Sequence, residues 1–503
     1  MSNISRSART GRRAIVVGSG PNGLTAAALL ARDGWQVDVY ERNAHPGGAA
    51  ASRPTLGPGT IVDLGAAGHP FGAASPVFRD LELTAHGLEW VHSDVPMAHP
   101  LPQGRAAILH RNLEATAHGL GPDAASWQRI HRHVTQHIDE HLQNLLGPML
   151  RVPRHPLRLA RFAPMALAPA SLLSRSMFAT EAARALFLGS AAHAVVPLSQ
   201  QFTGAFGVLF GALGMSRGWP AVRGGTGALV DALISVLTSN GGRMHVNHEV
   251  TNLADLPHAD AVILNLTPAQ VLDVTTNSSG TKQRLKPATH RRFATWRYGT
   301  AAYKVDFLLD APIPWINPEV AKAGTVHVIG SSQELVQASR DVAAGRMPRY
   351  PFVMVCQQQA ADPSRATGEA AGKTVVWTYA HVPHGYQETQ PGELTRAITK
   401  QIERFAPGFQ NLIRKQVATS PSDLEVWNSN LIGGDIAGGA MTGLQALLRP
   451  GLTVDPYRLP TIDTQAKNAP KLYLASSSAP PGAGVHGMPG FWAAQAVHRD
   501  FSD

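Results

Sequence analysis

A short apolar run that passes directly into a glycine-rich turn constrains this chain more than any other feature. Residues 13–17 read RAIVV, GSGPNG follows at 18–23, and the helical stretch LTAAALLARDG comes next. Strand, glycine turn and helix in this order predict a Rossmann-type unit, whose turn and helix N-terminus hold a diphosphate. The residues expected at that diphosphate are Gly18, Gly20, Pro21, Asn22 and Gly23, of which the last also lets the helix pack closely on the strand.

The second strand of this unit ends in an acidic residue. WQVDVY at 35–40 is followed by Glu41, whose carboxylate would accept hydrogen bonds from a ribose 2′-hydroxyl and disfavour a 2′-phosphate. Arg42 follows, and the motif HPGGAAAS then supplies a second run of small residues that can press against the same pyrophosphate. That run is Gly47, Gly48 and Ala49. Nicotinamide-dependent dehydrogenases do not need it, so the sequence predicts FAD as the cofactor.

Four blocks of sequence carry a likeness to a known family. They are VVGSGPNGLTAAALLARDG, ERNAHPGG, RGGTGALVDAL followed by GGRMHVNHEV, and LYLASSSAPPGAGVHGMPGFWAAQA. On these blocks the chain resembles the phytoene-desaturase-like FAD-dependent oxidoreductases of the wider amine oxidase and carotenoid desaturase superfamily, over nearly its whole length. The resemblance implies an FAD held by segments that lie far apart in the sequence.

The resemblance also implies roles for individual residues. Val250 falls where backbone groups meet the adenine, and Ser477 where a residue approaches the ribityl chain and pyrophosphate. The flavin ring is expected at Gly484, Val485, Gly487 and Met488. Typical carotenoid desaturases have an arginine after the paired glycines and a proline before the equivalent of Gly487. This chain has Ala49 and His486 there, and both departures count against a carotenoid substrate.

The chain is predicted to be an α/β protein with a Rossmann-type FAD-binding domain in three pieces, 1–71, 220–275 and 421–503. Two insertions separate the pieces. A helical lobe is expected at 72–219, with one helix over SWQRIHRHVTQHIDEHLQNLL and a buried helix or channel wall over GAFGVLFGALGM. A substrate domain with a mixed or antiparallel sheet is expected at 276–420, from the strand-like runs TAAYKVDFLLD, TVHVIG, YPFVMVCQQ and TVVWTYAHV.

The terminal block contains a second GxGxxG pattern, at Gly482, Gly484 and Gly487. A segment of serines and prolines separates it from the strand KLYLA, so it is interpreted as backbone lying against the flavin edge rather than as a second nucleotide site. A helix that begins near Pro489 would direct its positive end towards reduced flavin.

His486 is the single catalytic candidate, because an imidazole beside the ring could move a proton or tune the ring. A structural histidine that bonds the loop backbone is an equal alternative. Weaker pocket candidates are Glu425, Trp427, Asp435, Tyr303 and Lys304. No metal site is expected, because HRHVTQHIDEH spaces its histidines irregularly and is interpreted as a solvated helix face.

Charge and cysteine content exclude several classes of function. The net charge of +9 has no accompanying nucleic-acid motif, so nucleic acid is not expected as a partner. One cysteine, Cys356, cannot form a dithiol redox pair, and the lack of a disulfide framework favours the cytoplasm. Peripheral contact with anionic membranes is expected through a stripe of arginines on one helix face, formed by Arg151, Arg154, Arg158 and Arg161.

The leading functional hypothesis is an FAD-dependent dehydrogenase or desaturase that passes a hydride from a small, largely apolar substrate to the flavin. An amine oxidase that uses oxygen is one alternative. The other is a flavin-binding protein with a non-redox isomerase or partner-binding role. The electron acceptor stays open between oxygen and a quinone.

Overall fold

The computed structural model describes residues 11–276, 284–462 and 469–502. Within these ranges the strands are β1 Arg13–Val17, β2 Gln36–Tyr40, β3 Ser52–Arg53, β4 Val62–Asp63, β5 Trp90–Val91, β6 Val95–Pro100, β7 Ala106–Leu109, β8 Ala221–Val222, β9 Arg243–His245, β10 Ala261–Leu264, β11 Ala301–Leu309, β12 Ala323–Val328, β13 Val353–Cys356, β14 Thr374–Val382, β15 Ile413–Thr419, β16 Arg458–Leu459 and β17 Lys471–Leu474.

The α-helices of the same ranges are α1 Pro21–Arg32, α2 Pro70–Ala73, α3 Pro76–Asp80, α4 Leu113–Gly119, α5 Ala124–Gln136, α6 Ile138–Leu145, α7 Pro156–Leu167, α8 Ala170–Met177, α9 Glu181–Ala192, α10 Thr203–Ser216, α11 Gly227–Ser239, α12 Pro268–Thr275, α13 Pro287–Ala294, α14 Ser332–Ala343, α15 Glu393–Glu403, α16 Pro421–Trp427, α17 Gly443–Leu447 and α18 Met488–Phe501.

The first sheet is a mostly parallel, Rossmann-type sheet with the strand order β16-β17-β10-β1-β2-β9. β1 pairs in parallel with β2 on one side and with β10 on the other, and only the β16–β17 pair is antiparallel among its pairings. The chain therefore leaves β1 in one direction and returns on its other side, which opens a crevice at the carboxyl end of β1. This sheet confirms the predicted Rossmann-type α/β class, and its strands come from three distant stretches of sequence.

The second sheet has the order β15-β11-β14-β13-β12-β6-β7 and is antiparallel except between β12 and β6. Four of its strands coincide with the predicted runs. β6 and β7, however, belong to the stretch 72–219 that was expected to be a helical lobe, so that lobe contributes two strands to the neighbouring sheet. The reason is that the inward-facing residues of this hairpin, among them Met97 and Leu109, follow the two-residue period of a strand rather than the period of a helix.

The two faces of the second sheet differ in chemistry because side chains alternate along each strand. One face is aliphatic and aromatic, with Val305, Phe307 and Val376 in a core shared with α15. The other face carries buried polar groups, among them Lys304, Asp306 and His327. Cross-strand register places Lys304 opposite Tyr379 on this polar face.

The histidine-rich helix differs from its prediction in two ways. It is broken at His137 into α5 and α6 rather than continuous. Its histidines also do not form a solvated face: His131 and His141 are fully buried, and His133 is buried as well. His131 lies against Trp127 at 4.2 Å between ring centroids, because the helix turns this face inward against α10. The interpretation as a solvated face was wrong.

The predicted stripe of four arginines is also broken. α7 begins at Pro156, so Arg151 and Arg154 precede the helix and cannot share a helical face with the other two. Arg151 instead lies over the ring of Trp492, 5.0 Å from its centroid, and Arg158 Nε donates to Glu140 at 2.6 Å. Prolines at 153 and 156 account for the delayed start of the helix.

Candidate functional site

A single large cavity of about 800 Å³ joins the two sheets. At one end it is bordered by the glycine turn after β1, and at the other by the polar face of the second sheet and by the helices α7 and α10. α10 is the buried apolar helix anticipated at 204–215, and its Phe206, Leu209 and Phe210 form one wall. The crevice of the Rossmann-type sheet is thus continuous with an apolar chamber.

The glycine turn has room for a ligand because its glycines carry no side chains. A Cβ at Gly20 would lie 2.7 Å from Asn265 Nδ2, and a Cβ at Gly48 would lie 3.1 Å from the Cα of Gly20. Both glycines line the cavity, so the two small-residue runs approach each other at its wall. α1 begins here without a side-chain cap, and the N–H groups of its first turn are available to an anion.

A buried polar atom at this end of the cavity has no hydrogen-bond partner among the described residues. It is Oδ1 of Asn22, which lines the cavity. The oxygen and nitrogen of an asparagine amide exchange places by a simple flip, so Asn22 can present its NH2 group to a phosphate. A polar ligand in the cavity would supply the missing hydrogen bonds.

Glu41 is held in a fixed orientation at the end of β2. Its Oε2 accepts from Ser19 N at 3.0 Å and from Ser19 Oγ at 2.6 Å, and its Oε1 accepts from Asn43 N at 2.9 Å. The carboxylate borders the cavity and keeps acceptor capacity for a ligand hydroxyl. Arg42 also borders it, but its Nη2 donates to the carbonyl of Val426 at 2.7 Å, which holds the loop after α16.

The cavity gathers most of the predicted cofactor residues from the three distant stretches. Those on its wall are Gly18, Gly20, Pro21, Asn22, Glu41, Arg42, Gly48, Ala49, Val250, Ser477, Gly484, Val485 and His486. Four others lie behind the wall: Gly23, Gly47, Gly487 and Met488. A Cβ at Gly23 would clash with the carbonyl oxygen of Gly18, and one at Gly487 would lie 2.5 Å from Thr25 Oγ1. These positions keep backbone and helices close rather than lining the space.

His486 is fully enclosed in the loop before α18. Its Nδ1 accepts from Met488 N at 3.1 Å, which puts the ring proton on Nε2, and its carbonyl accepts from Ser75 Oγ at 2.7 Å. Burial lowers the pKa of His486 to about 4, so the ring is neutral at pH 7. Because it both borders the cavity and bonds the loop backbone, the geometry is compatible with either role anticipated for it.

Lys304 lies on the polar face of the second sheet and lines the cavity. Its ammonium is paired with Asp306, and its Nζ lies 5.7 Å from the ring centroid of Trp377. Burial lowers the pKa of Lys304, and burial raises the pKa of Asp306 to about 6 although the ammonium opposes that rise. Trp377 and Tyr379, 5.3 Å apart and nearly perpendicular, line the cavity beside it.

The other weak candidates do not reach the cavity. Tyr303 points to the opposite, aliphatic face of the sheet, where its hydroxyl lies 3.3 Å from Thr395 Oγ1, because adjacent strand residues face opposite ways. Asp435 accepts from the N–H groups of Gly299 and two further loop residues. Glu425 accepts from a loop N–H, and the Trp427 carbonyl accepts from Asn43, so all four act in packing or loop structure.

The inner end of the chamber contains a histidine pair that sequence patterns did not reveal. His193 borders the cavity, and its Nε2 lies 3.1 Å from His327 Nε2. Burial lowers the pKa of His193 to about 3 and that of His327 well below its usual range, so the pair is neutral and one ring donates to the other. The two residues are 134 positions apart, and no short motif could have joined them.

The fold defines the chain as a Rossmann-type α/β protein with an inserted second sheet. A family model described as an NAD(P)-binding Rossmann-like domain matches residues 16–82. The chain is 27% identical to "Pyridine nucleotide-disulfide oxidoreductase domain-containing protein 2" of Rattus norvegicus, and 26% identical to the Mus musculus protein of that name. Each alignment covers 97% of this chain and 94% of the relative.

Solved structures share the fold over nearly the whole chain. An oxidoreductase from Methanosarcina mazei has a TM-score of 0.59 at 16% identity, covering 97% of this chain and all of its own. Putrescine oxidase bound to putrescine has a TM-score of 0.58 at 15% identity, covering 97% and 98%. Cyclohexylamine oxidase from Brevibacterium oxydans has a TM-score of 0.56 at 14% identity, covering 98% and 100%.

The solved structures, at 14 to 16% identity, show the shared fold, and the rodent relatives are oxidoreductase-domain proteins by name. The disulfide chemistry in the name of the rodent relatives has no counterpart here, because Cys356 is the single cysteine and is buried. The finer identification as phytoene-desaturase-like stays a prediction.

Proposed function

We propose that this protein is an FAD-dependent oxidoreductase that dehydrogenates or desaturates a largely apolar small molecule. The observation that carries the proposal is the continuity of one cavity, from a side-chain-free turn at the N-terminus of α1 to an apolar chamber walled by α7 and α10. A dinucleotide and a substrate can meet in such a space. The unpartnered amide oxygen of Asn22 fits a polar ligand at the turn.

Residues of this chain would hold FAD as follows. The N–H groups after Gly20 would bind the pyrophosphate, Glu41 the ribose hydroxyls, and Val250 the adenine through its backbone. Ser477 and the small residues Gly484 and Val485 would lie along the ribityl chain and ring. When bound, FAD supplies the hydride acceptor. The remaining chemistry, which is orientation, exclusion of water and movement of a proton, falls to the protein.

Lys304 is the best-placed residue for the proton. Dehydrogenation removes a hydride and a proton from the substrate, so a base is useful beside the chamber. Because burial lowers the pKa of Lys304, its neutral amine form is easier to reach at neutral pH and can act as the base. Asp306, its partner in the buried pair, can hold the proton that the substrate releases. His486 is a second candidate on the cavity wall, where burial keeps its ring neutral.

An amine oxidase that uses oxygen is the second candidate function. Two observations favour it: the shared fold with putrescine oxidase and cyclohexylamine oxidase, and the perpendicular pair Trp377 and Tyr379 on the chamber floor. Aromatic faces attract cationic or neutral amines. A non-redox role for the flavin is the third alternative, and the same experiment separates all three.

The first experiment measures cofactor content. Purified protein should be yellow and contain one FAD per chain, and Gly20→Val and Glu41→Arg should lose it. The valine would collide with Asn265, and the arginine would remove the ribose acceptor. Gly119→Val and Glu114→Arg are matched controls, because both residues are exposed on α4, away from the cavity. Full FAD loading of both folded test variants would contradict the assignment.

The second experiment identifies the chemistry. Holoprotein is mixed anaerobically with a panel of apolar alkenes and alcohols, of saturated analogues, and of primary and secondary amines. Bleaching of the oxidised flavin by the apolar non-amines supports the dehydrogenase, and bleaching by amines followed by peroxide on admission of oxygen supports the oxidase. Conversion of a substrate without any bleaching would support the non-redox alternative.

A further inference from the structure

Exposed apolar side chains are concentrated on one part of the surface. Of the fourteen large apolar residues that are exposed in the described ranges, nine fall in two segments, 149–172 and 444–454. The most exposed are Val152 at 90%, Leu157 at 84% and Val454 at 85%. Scattered single apolar residues on a surface need no explanation, but a cluster of this kind marks an interaction site.

The helix α7 has apolar residues on both of its faces. Its inner face, with Leu159, Phe162 and Ala163, borders the cavity. Its exposed residues include Leu157 and Leu167, an alanine and a proline, together with the charged Arg161. So large a share of apolar side chain on the exposed side of a helix indicates a surface that another molecule covers.

The two segments border the mouth of the same cavity. Met149 and Leu167 from the first segment, and Gly443 and Leu447 from α17, all line it. Arg151 joins the segments to α18 through its contact with Trp492, which in turn lies against Tyr457 at 6.4 Å between centroids. Both segments therefore contribute to the wall of one cavity, and we name this region the portal surface, residues 149–175 and 443–454.

The charges of the portal surface have one sign. The stretch from 141 to 178 contains five arginines and no aspartate or glutamate, and no acidic residue occurs from 436 to 454. Arg154, Arg161 and Arg175 are exposed, and none has an ion pair among the described residues. An apolar face with free cations around it matches a membrane whose surface is anionic.

We propose that the portal surface docks on the headgroup region of an anionic lipid bilayer, with α7 lying in the membrane plane and the arginines binding phosphates. Leu157 and Val152 would enter the upper acyl region. No helix of the described chain is long and apolar enough to cross a bilayer, so the contact is with one leaflet. The docking does not depend on the proposed function. Together with the proposed function, it implies that an apolar substrate enters the chamber from the lipid.

The test is co-sedimentation of the full chain with sucrose-loaded vesicles, either pure phosphatidylcholine or phosphatidylcholine with a third of phosphatidylglycerol. The wild type should bind the anionic vesicles preferentially and lose binding as salt rises from 20 to 500 mM. Arg154→Gln, Arg161→Gln and Arg175→Gln together should weaken binding roughly 100-fold at low salt, on the order of 5-fold for each arginine. Lys400→Gln, Arg414→Gln and Lys415→Gln together are the matched control, because these exposed cations do not line the cavity and should leave binding unchanged.

Insertion is measured separately from charge. Cys356 is buried, so Leu157→Cys provides a single accessible thiol for an environment-sensitive dye, and Val426→Cys, also exposed but outside the portal surface, provides the control. The dye at 157 should shift to the blue when anionic vesicles are added, and the dye at 426 should not. Leu150→Gln, Val152→Gln and Leu157→Gln together should abolish sedimentation while FAD content and the unfolding midpoint stay unchanged.

Two outcomes overturn the proposal. One is equal sedimentation with neutral and anionic vesicles, or none with either. The other combines no vesicle binding with a concentration-dependent dimer in lipid-free sedimentation velocity. If the variant with glutamine at 150, 152 and 157 converts that dimer to monomer, a second copy of the chain covers the surface. Neither readout depends on turnover, so a failure of the proposed enzymatic function would leave the docking result interpretable.

Discussion

The buried histidines make a strong prediction about acid. Burial strongly lowers the pKa of eight of them, to about 4 in six cases, to about 3 in His193 and well below the usual range in His327. They are His69, His99, His131, His141, His193, His327, His381 and His486. An unfolded histidine has a pKa of about 6.5, so between pH 6.5 and 4 the unfolded chain binds protons that the folded chain cannot. Stability is therefore lost as the pH falls through that window.

The loss is large enough to unfold the protein. Between pH 7 and pH 5.5 each such histidine reduces the free energy of unfolding by roughly 1.2 kcal/mol, since the unfolded form is about ten-elevenths protonated at the lower pH. Eight of them give on the order of 10 kcal/mol, which is comparable with the whole stability of an ordinary domain. We expect the urea midpoint to collapse between pH 6.5 and 5, with cofactor content held equal.

The assay is urea unfolding followed by circular dichroism at half-unit pH steps. His141→Phe supplies an internal check, because neither ring nitrogen of His141 has a hydrogen-bond partner among the described residues. This variant should lose about one eighth of the pH dependence and be more stable than wild type at pH 5.5. A free energy of unfolding that is flat from pH 7 to 5 would refute the reasoning, since the histidines would then titrate normally in the fold.

Three further predictions concern the cavity. Lys304→Met leaves the Asp306 carboxyl buried without its cation, and that carboxyl stays protonated in the folded protein. Between pH 6.5 and 8.5 the free energy of unfolding of this variant should fall with pH by up to about 1.4 kcal/mol per unit, while that of Asp306→Asn should show the opposite slope. Parallel slopes in urea unfolding would contradict the pairing. NADH and NADPH at micromolar concentration should not bleach the flavin rapidly in anaerobic stopped flow, because the proposed FAD would occupy the glycine-turn site and the pattern at Gly482 is interpreted as backbone beside the flavin rather than as a second site. His193→Phe leaves His327 Nε2 without its partner and should cost about 1 to 3 kcal/mol, whereas His193→Gln should cost less; equal urea midpoints for the two variants would show that the hydrogen bond contributes nothing.

The Rossmann-type half of the structure could be predicted because its information is local. The glycine turn and the strand pattern at 13–17 specify backbone geometry over a dozen residues, and β1 and β14 have the bounds that their apolar runs indicate. β9 ends at His245, and Val250 reaches the cavity from the loop beyond it. Local patterns therefore predicted which elements form more accurately than they predicted the residues at which those elements end.

The polar floor of the chamber could not be predicted from local patterns. Lys304 and Tyr303 are adjacent, and only the register of β11 against β14 decides which one enters the cavity. His193 meets His327 through tertiary packing alone. The histidines of α5 and α6 were misassigned for the same reason: their spacing suits a helix face, but which side of that helix meets α10 is a global property of the fold.

The distribution of the first sheet along the chain also affects how the protein can be made. β1 and β2 are synthesised first, but β10 follows more than two hundred residues later, and β17 pairs with β10 only after residue 474 has been added. α18, which packs on α1, comes later still. On a ribosome the N-terminal unit therefore waits with an unpaired strand edge and an uncovered helix, which are conditions that favour misassembly. We expect nascent chains stopped before residue 470 to bind chaperones and to hold no FAD.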